Sequence, residues 1–176
     1  MYRRLSAWFG FGVLVAVLIF FVTQTINKPS AQNPQVELKP AKTWIDFELP
    51  TTNGVTWSST SLEDQAVVLN FWAPWCLPCR HEVPYLIELH MRYGSDFKFI
   101  GIAIDQPHTV RQYEDEVGLN YLSLVDDSKG VELLQYYQSS GLLPLTLVFD
   151  KHRNMRHQVL GPLDPKDFEQ ILKEML

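Results

Sequence analysis

Asn70-Phe71-Trp72-Ala73-Pro74-Trp75-Cys76-Leu77-Pro78-Cys79-Arg80 holds both cysteines of this 176-residue chain. Ahead of it, Val67-Val68-Leu69 is a short apolar run that reads as a buried strand; after it the pattern turns helical. A Cys-x-x-Cys where a strand gives way to a helix puts the first thiol at a helix N-terminus. There, unpaired backbone N–H groups and the positive end of the helix dipole stabilise a thiolate. The second thiol lies about one turn further in, within reach of a disulfide with the first. Cys76 therefore reads as the exposed nucleophile and Cys79 as the more buried resolving thiol. Other uses of the pair fit less well. A structural disulfide across so short a loop removes little entropy from the unfolded chain. Zinc needs four ligands, and Cys76, Cys79 and His81 have no second cysteine pair to complete the set. Covalent haem attachment needs His directly after the second Cys, where this chain has Arg80.

The rest of the composition narrows the field. Hydrophobic residues make up 46% of the chain, enough for a real core, and the length suits one domain of ordinary size. The formal net charge is -5 and the basic residues form no long run, which argues against a nucleic-acid partner. There is no Gly-rich dinucleotide fingerprint and no phosphate loop. No bound cofactor is expected; the redox group is the Cys76–Cys79 pair itself, and its electrons are expected from another dithiol. No internal repeat appears at a period of about 20–50 residues.

The N-terminus reads as a separate piece. Tyr2-Arg3-Arg4 is a short basic flank, and Leu5 to Val22 is almost wholly apolar, near the lower length limit for a membrane-spanning helix. Thr23 to Ala31 offers no clean Ala-x-Ala, so a retained anchor over residues 1–26 is favoured over a cleaved signal. Arg3 and Arg4 then hold the N-terminus in the cytoplasm and send the rest of the chain outside, to the periplasm or its equivalent. Residues 27–42, with Pro29, Pro34 and Pro40 among polar residues, read as a flexible linker. Residues 43–176 form the soluble head.

In the head, Trp44 to Pro50 alternates like a strand, Thr52-Asn53-Gly54 is a turn, and Val55-Thr56-Trp57 returns as a hairpin. Ser61 to Asp64 reads as a short helical turn. Strands are expected at Val67–Trp72, Phe97–Ile104, Tyr121–Val125, Leu145–Phe149 and Met155–Val159. Helices are expected at Leu77–Tyr93, bent at Pro84 and ended by Gly94, at Thr109–Val117, at Gly130–Gln138, and after an Asp164 cap with Phe168, Ile171, Leu172 and Met175 inward. Strands alternating with helices predict an α/β head: a parallel-containing sheet covered on both faces, with the last hairpin as an antiparallel edge.

These residues together resemble the thioredoxin fold, and within it the membrane-anchored bacterial thiol–disulfide oxidoreductases of the TlpA/ResA/CcmG group. The likeness runs from Trp44 to Leu176. It rests on Asp46-Phe47-x-Leu49-Pro50 with Gly54, on Asn70-Phe71-Trp72-Ala73-x-Trp75-Cys76-x-x-Cys79 with Glu82 and Pro84, on Gly101 to Asp105, and on Gly161-Pro162-Leu163. Ile104-Asp105 and the Gly161 segment look most like TlpA-type proteins. The resemblance implies a cis-proline at Pro144 beside the dithiol, exposing the backbone of Leu143 to an extended substrate segment. It also implies disulfide-bearing protein substrates, such as apocytochrome c or copper-site cysteines, and re-reduction by a membrane electron donor of the DsbD/CcdA type.

Other roles follow from the residues. Asn70 stands where ordinary thioredoxins carry a buried Asp and cannot ionise. Glu82, three residues past Cys79, faces the same side of the helix; a partly buried carboxylate there would have a raised pKa suited to proton transfer. Trp75, Leu77 and Pro78 are expected at the rim that meets substrate, with Leu143 beside them. Pro78 donates no N–H and Leu77 adds no charge, so the thiolate is less stabilised than in relatives with a basic residue there. That favours a reductase or isomerase. Arg80 and the histidines are read as solvated. A thiol oxidase and a Cu(I)-holding module using the same two cysteines are the competing readings. A peroxidase is disfavoured, because Ala73 stands where the peroxiredoxin pattern has Thr.

Overall fold

The computed structural model describes residues 43–138 and 140–176. The anchor and the linker expected over residues 1–42 lie outside the described residues. Among the described residues, no helix is long and apolar enough to cross a membrane.

The alternating start of the head forms a small hairpin, β1 (Glu48–Pro50) with β2 (Thr56–Ser58), closed around the Thr52-Asn53-Gly54 turn. Only its last residues pair; Trp44 to Phe47, expected in the strand, are instead irregular, with Trp44, Ile45 and Phe47 packed on the core and Trp44 edge-on to Phe149. The helical turn comes earlier than expected, at Ser59–Ser61, because the Ser58 hydroxyl caps it by accepting from Thr60 N–H.

The main sheet has five strands: β3 (Ala66–Trp72), β4 (Phe97–Ala103), β5 (Leu122–Val125), β6 (Leu145–Phe149) and β7 (Met155–Leu160), in the order β5-β4-β3-β6-β7. β3, β4 and β5 are parallel; β6 and β7 are antiparallel additions. The near-continuous apolar run of β3 suits its central place, since a strand covered on both faces does not alternate.

Four helices follow: α1 (Leu77–Tyr93), α2 (Pro107–Val117), α3 (Asp127–Tyr137) and α4 (Pro165–Glu174). α1 runs unbroken for 17 residues through Pro84, whose ring lies on the exposed face. α3 begins three residues before the expected Gly130, because Asp126 accepts from Lys129 N–H and starts the helix there. One face of the sheet packs Val67, Leu69, Phe71, Ile100, Ile102, Leu145 and Leu147 against the hairpin and α3. The other packs Val68, Phe99 and Val148 against Leu86 and Leu89 of α1 and Phe168 and Leu172 of α4. Asp164 caps α4 as expected, accepting from the N–H groups of Lys166 and Asp167. Asp164→Ala should cost about 1 kcal/mol and lower the melting temperature by a few degrees, on the order of 2–8 °C. Calorimetry reads this; an unchanged melting temperature would deny the cap its role.

Candidate active site

β3 delivers the dithiol. It ends at Trp72, the chain turns through Ala73 and Pro74, and Cys76 becomes the N-cap of α1 with extended backbone. Cys76 Sγ accepts the N–H of Cys79 at 3.3 Å. Pro78 sits in the first turn, where a missing N–H leaves no helical bond unmade. Cys76 and Cys79 are joined as a disulfide with Cα atoms 5.2 Å apart.

The order of exposure is as expected but its degree is not. Cys79 is fully buried, and Cys76, expected to be exposed, is itself only 6% exposed. Both belong to a cluster with Trp72, Ala73, Val83, Val110 and Tyr113, and the shared S–S bond draws Cys76 into it. The accessible surface is the rim instead. Trp75 is 66% exposed, with Leu77 and Pro78 exposed just after it in the chain, and Leu142 is exposed on the loop before β6. Next to Trp75 opens a groove of about 270 Å³ lined by Arg80, Asp105, Gln112 and Glu116.

Pro144 enters from the loop before β6, and the Leu143–Pro144 bond is cis. Leu143 is half-buried against the cluster that holds both cysteines, so the loop and the dithiol stand side by side. Gly161, at φ 93, turns the chain after β7 and donates its N–H to the Pro144 carbonyl at 2.9 Å.

Glu82 is 3% exposed, on the α1 face that also carries Cys79. Its Oε1 accepts from Asn70 Nδ2 at 2.8 Å and its Oε2 from Leu163 N–H at 3.2 Å. Burial pushes its pKa from 4.5 up to about 7, and those two hydrogen bonds restrain the rise. Asn70 also donates to Thr146 Oγ1 at 3.0 Å. Reasoning from the sequence missed Thr146 and the backbone of Leu163. The visible signal was the register of two neighbouring strands and a Gly-Pro turn, neither of which points to a carboxylate by itself.

Arg80 is not free in solvent as expected. Its guanidinium lies 4.6 Å over the Tyr113 ring, pairs with Glu116 at 3.2 Å and donates to the Pro74 carbonyl. Of the histidines, His81, His108 and His152 are exposed, but His90 packs edge-on to Phe99 and Tyr121, and His157 is half-buried.

A disulfide that can open at a helix N-terminus, with a carboxylic acid poised near neutrality behind it, does dithiol exchange. On a thioredoxin-like sheet this makes the chain a thiol–disulfide oxidoreductase. The chain belongs to the AhpC/TSA family, whose model matches residues 40–158, more than half of its length. It is similar to the thiol–disulfide oxidoreductase ResA of Geobacillus thermodenitrificans, 28% identical over 132 residues that cover 74% of each chain. The thioredoxin-like protein YneN of Bacillus subtilis is 26% identical over 172 residues, 96% of this chain and 98% of that one. Among solved structures, a thiol:disulfide interchange protein of the thioredoxin family from Chlorobium tepidum superposes with a TM-score of 0.68 at 29% identity, covering 78% of this chain and 97% of that one.

Proposed function

We propose that this oxidoreductase works as an extracytoplasmic protein-disulfide reductase, held at the cytoplasmic membrane by residues 1–26, with residues 27–42 as the tether. One observation carries the direction of electron flow. Arg80, the cation adjoining the dithiol, is committed to Glu116, Tyr113 and Pro74. The Cys76 thiolate is left with the helix N-terminus and the Cys79 N–H as its stabilisers. A weakly stabilised thiolate favours the disulfide in the pair and so gives a reducing potential.

A substrate disulfide docks on Trp75, Leu77, Pro78 and the Leu143–Pro144 loop. Cys76 thiolate attacks one of its sulfurs, the other leaves as a thiolate, and a mixed disulfide forms. Glu82 takes the proton of Cys79, whose thiolate then attacks Cys76 and releases the reduced substrate. The apolar rim supports segments around protein cysteines, such as those of apocytochrome c or a copper site, as substrates. A membrane donor of the DsbD/CcdA type would return the electrons. The YneN alignment, which reaches into the N-terminal segment, supports an organisation like that relative's.

Trapping with a thiol-alkylating mass tag in intact cells should find Cys76 and Cys79 mostly as free thiols. The potential of the purified protein should lie nearer the about -270 mV of thioredoxin than the about -120 mV of DsbA. A potential near the oxidising value would make this chain a thiol oxidase.

A further inference from the structure

A second polar feature lies beneath α1. Asn70, Gly101 and Ser123 stand in register across β3, β4 and β5, and Thr146 continues the row on β6. Residues paired in this way share a face, here the one carrying Glu82. Trp72 follows two residues along β3 on that same face. Gly101 lets the indole and the Tyr121 ring converge over it: a Cβ there would lie 2.8 Å from Trp72 Nε1 and 3.2 Å from Tyr121 Cε2.

Four polar atoms here have no hydrogen-bond partner among the described residues: Asn70 Oδ1, Trp72 Nε1, the Tyr121 hydroxyl and Ser123 Oγ. None of the four side chains is more than 8% exposed. Leaving a buried polar group unpaired is costly, and native proteins keep few of them. Gathered together they make a complementary set. The indole only donates, the amide oxygen only accepts, and the two hydroxyls do both. Such a set is what a buried water, with its two to four partners, requires.

We propose that Asn70, Trp72, Tyr121 and Ser123 hold buried water under α1, and that this water is the proton outlet of Glu82 during dithiol exchange. The inference rests on Glu82 as the proton acceptor of the preceding section. When Cys79 is activated, its S–H bond breaks, an O–H bond forms on Glu82, and the sulfur electron pair attacks Cys76. The carboxylic acid must then lose that proton to act again. It passes the proton to a water oxygen, which releases one of its own onward to solvent, and the carboxylate is restored. Tyr121 and Ser123 are positioning residues for that water. Tyr121 lies within the electrostatic reach of Glu82, Tyr113 and Glu114. Glu114 is half-buried on α2, and its Oε1 is also without a partner among the described residues. The outlet assigned here runs along the row toward β5, the end strand of the sheet. On α1, Cys79 shares the Glu82 face and His90, further along the helix, packs edge-on to Tyr121.

The first test uses the full chain in detergent with 15N-labelled tryptophan. The Trp72 indole N–H, assigned by its loss in Trp72→Phe, should show a magnetisation-transfer cross-peak to water. Its absence in the unaltered protein overturns the proposal. The second test follows the Glu82 carboxylic C=O band in the infrared, identified by its loss in Glu82→Gln, on transfer to D₂O. In Tyr121→Phe/Ser123→Ala the hydrogen-to-deuterium shift should slow by about tenfold or more with the band position kept. Equal exchange rates overturn the proposal, and Ser123→Ala alone serves if the double variant does not fold. If the water signal is present but Glu82→Gln leaves thiol exchange unchanged, the base role of Glu82 fails and the outlet assigned to it fails too, while the hydration of the pocket stands.

Discussion

Cys76→Ser is expected to lose disulfide reduction by on the order of 10⁴-fold or more, because the attacking sulfur is gone and the one remaining thiol, Cys79, is fully buried. Cys79→Ser should behave differently. Cys76 still attacks, but nothing resolves the product, so mixed disulfides accumulate on Cys76. The asymmetry comes from placement. A substrate sulfur must approach the reacting sulfur directly. Cys76 lies at the mouth of α1 between exposed Trp75 and Leu77, whereas Cys79 lies one turn in and fully buried. Cys79 nonetheless sits at the distance a disulfide needs, its Cα 5.2 Å from that of Cys76. An intramolecular thiol held in this way acts at a very high effective concentration, on the order of 10⁵ M or more in favourable cases. Insulin reduction and mass analysis of trapped adducts read both variants. Retained reduction in Cys76→Ser, or trapped adducts on Cys79, would reverse the assignment.

Glu82→Gln is expected to slow the resolving step by about 10²-fold and to remove an inflection near pH 7. A base works only as carboxylate. The resolving rate in the unaltered protein should therefore rise with pH and level off above about 7, the pKa to which burial pushes this group. With Gln, only the thiols' own titration should remain. Stopped-flow measurement of mixed-disulfide release across pH 5–9 reads this; an unaltered inflection would assign it to another group.

The same group leaves a mark on stability, with a fixed sign. The folded-state pKa of Glu82 is raised above 4.5, so the folded protein holds a proton that the unfolded chain has released. The stability tied to that proton is fully present below about pH 4.5 and is lost as pH rises through about 7. The loss is on the order of 3 kcal/mol. His157 opposes it in part: burial lowers its pKa, so its contribution fades as pH falls. The difference between the unaltered protein and Glu82→Gln cancels that background. Urea unfolding at pH 5 and pH 8 should show a steeper fall for the unaltered protein. The neutral amide does not fit without adjustment, because both Glu82 oxygens face donors, Asn70 Nδ2 and Leu163 N–H. A flip of Asn70, whose Oδ1 has no partner among the described residues, would accommodate it.

Much of the head was legible in the sequence because its signals are local. The apolar run Val67–Trp72, the Cys-x-x-Cys that follows, and the helical period to Gly94 involve neighbours along one chain segment, and the strand and helix they predict are present. The Asp164 cap is of the same kind. Where a local signal was overlooked, as at the Asp126 cap, the helix was misplaced by only three residues. The pairing of Cys76 with Cys79 followed from spacing, and the placement of Glu82 beside Cys79 from helical geometry. These were fixed by covalent distance and by backbone periodicity.

The burial of the site was not fixed in that way. Nothing local says that Cys76 is covered, that Arg80 turns onto Tyr113 and Glu116, or that Glu82 meets the backbone of a residue 81 positions away. The resemblance supplied the cis form of Pro144, and the folded chain carries it beside the dithiol cluster. The strand order β5-β4-β3-β6-β7 brings Ser123, Gly101, Asn70 and Thr146 into one row, from four separate segments. Sequence determined which residues carry the redox chemistry. Tertiary structure decided how much water and charge surround them, because desolvation and long-range hydrogen bonds exist only once distant segments have packed together.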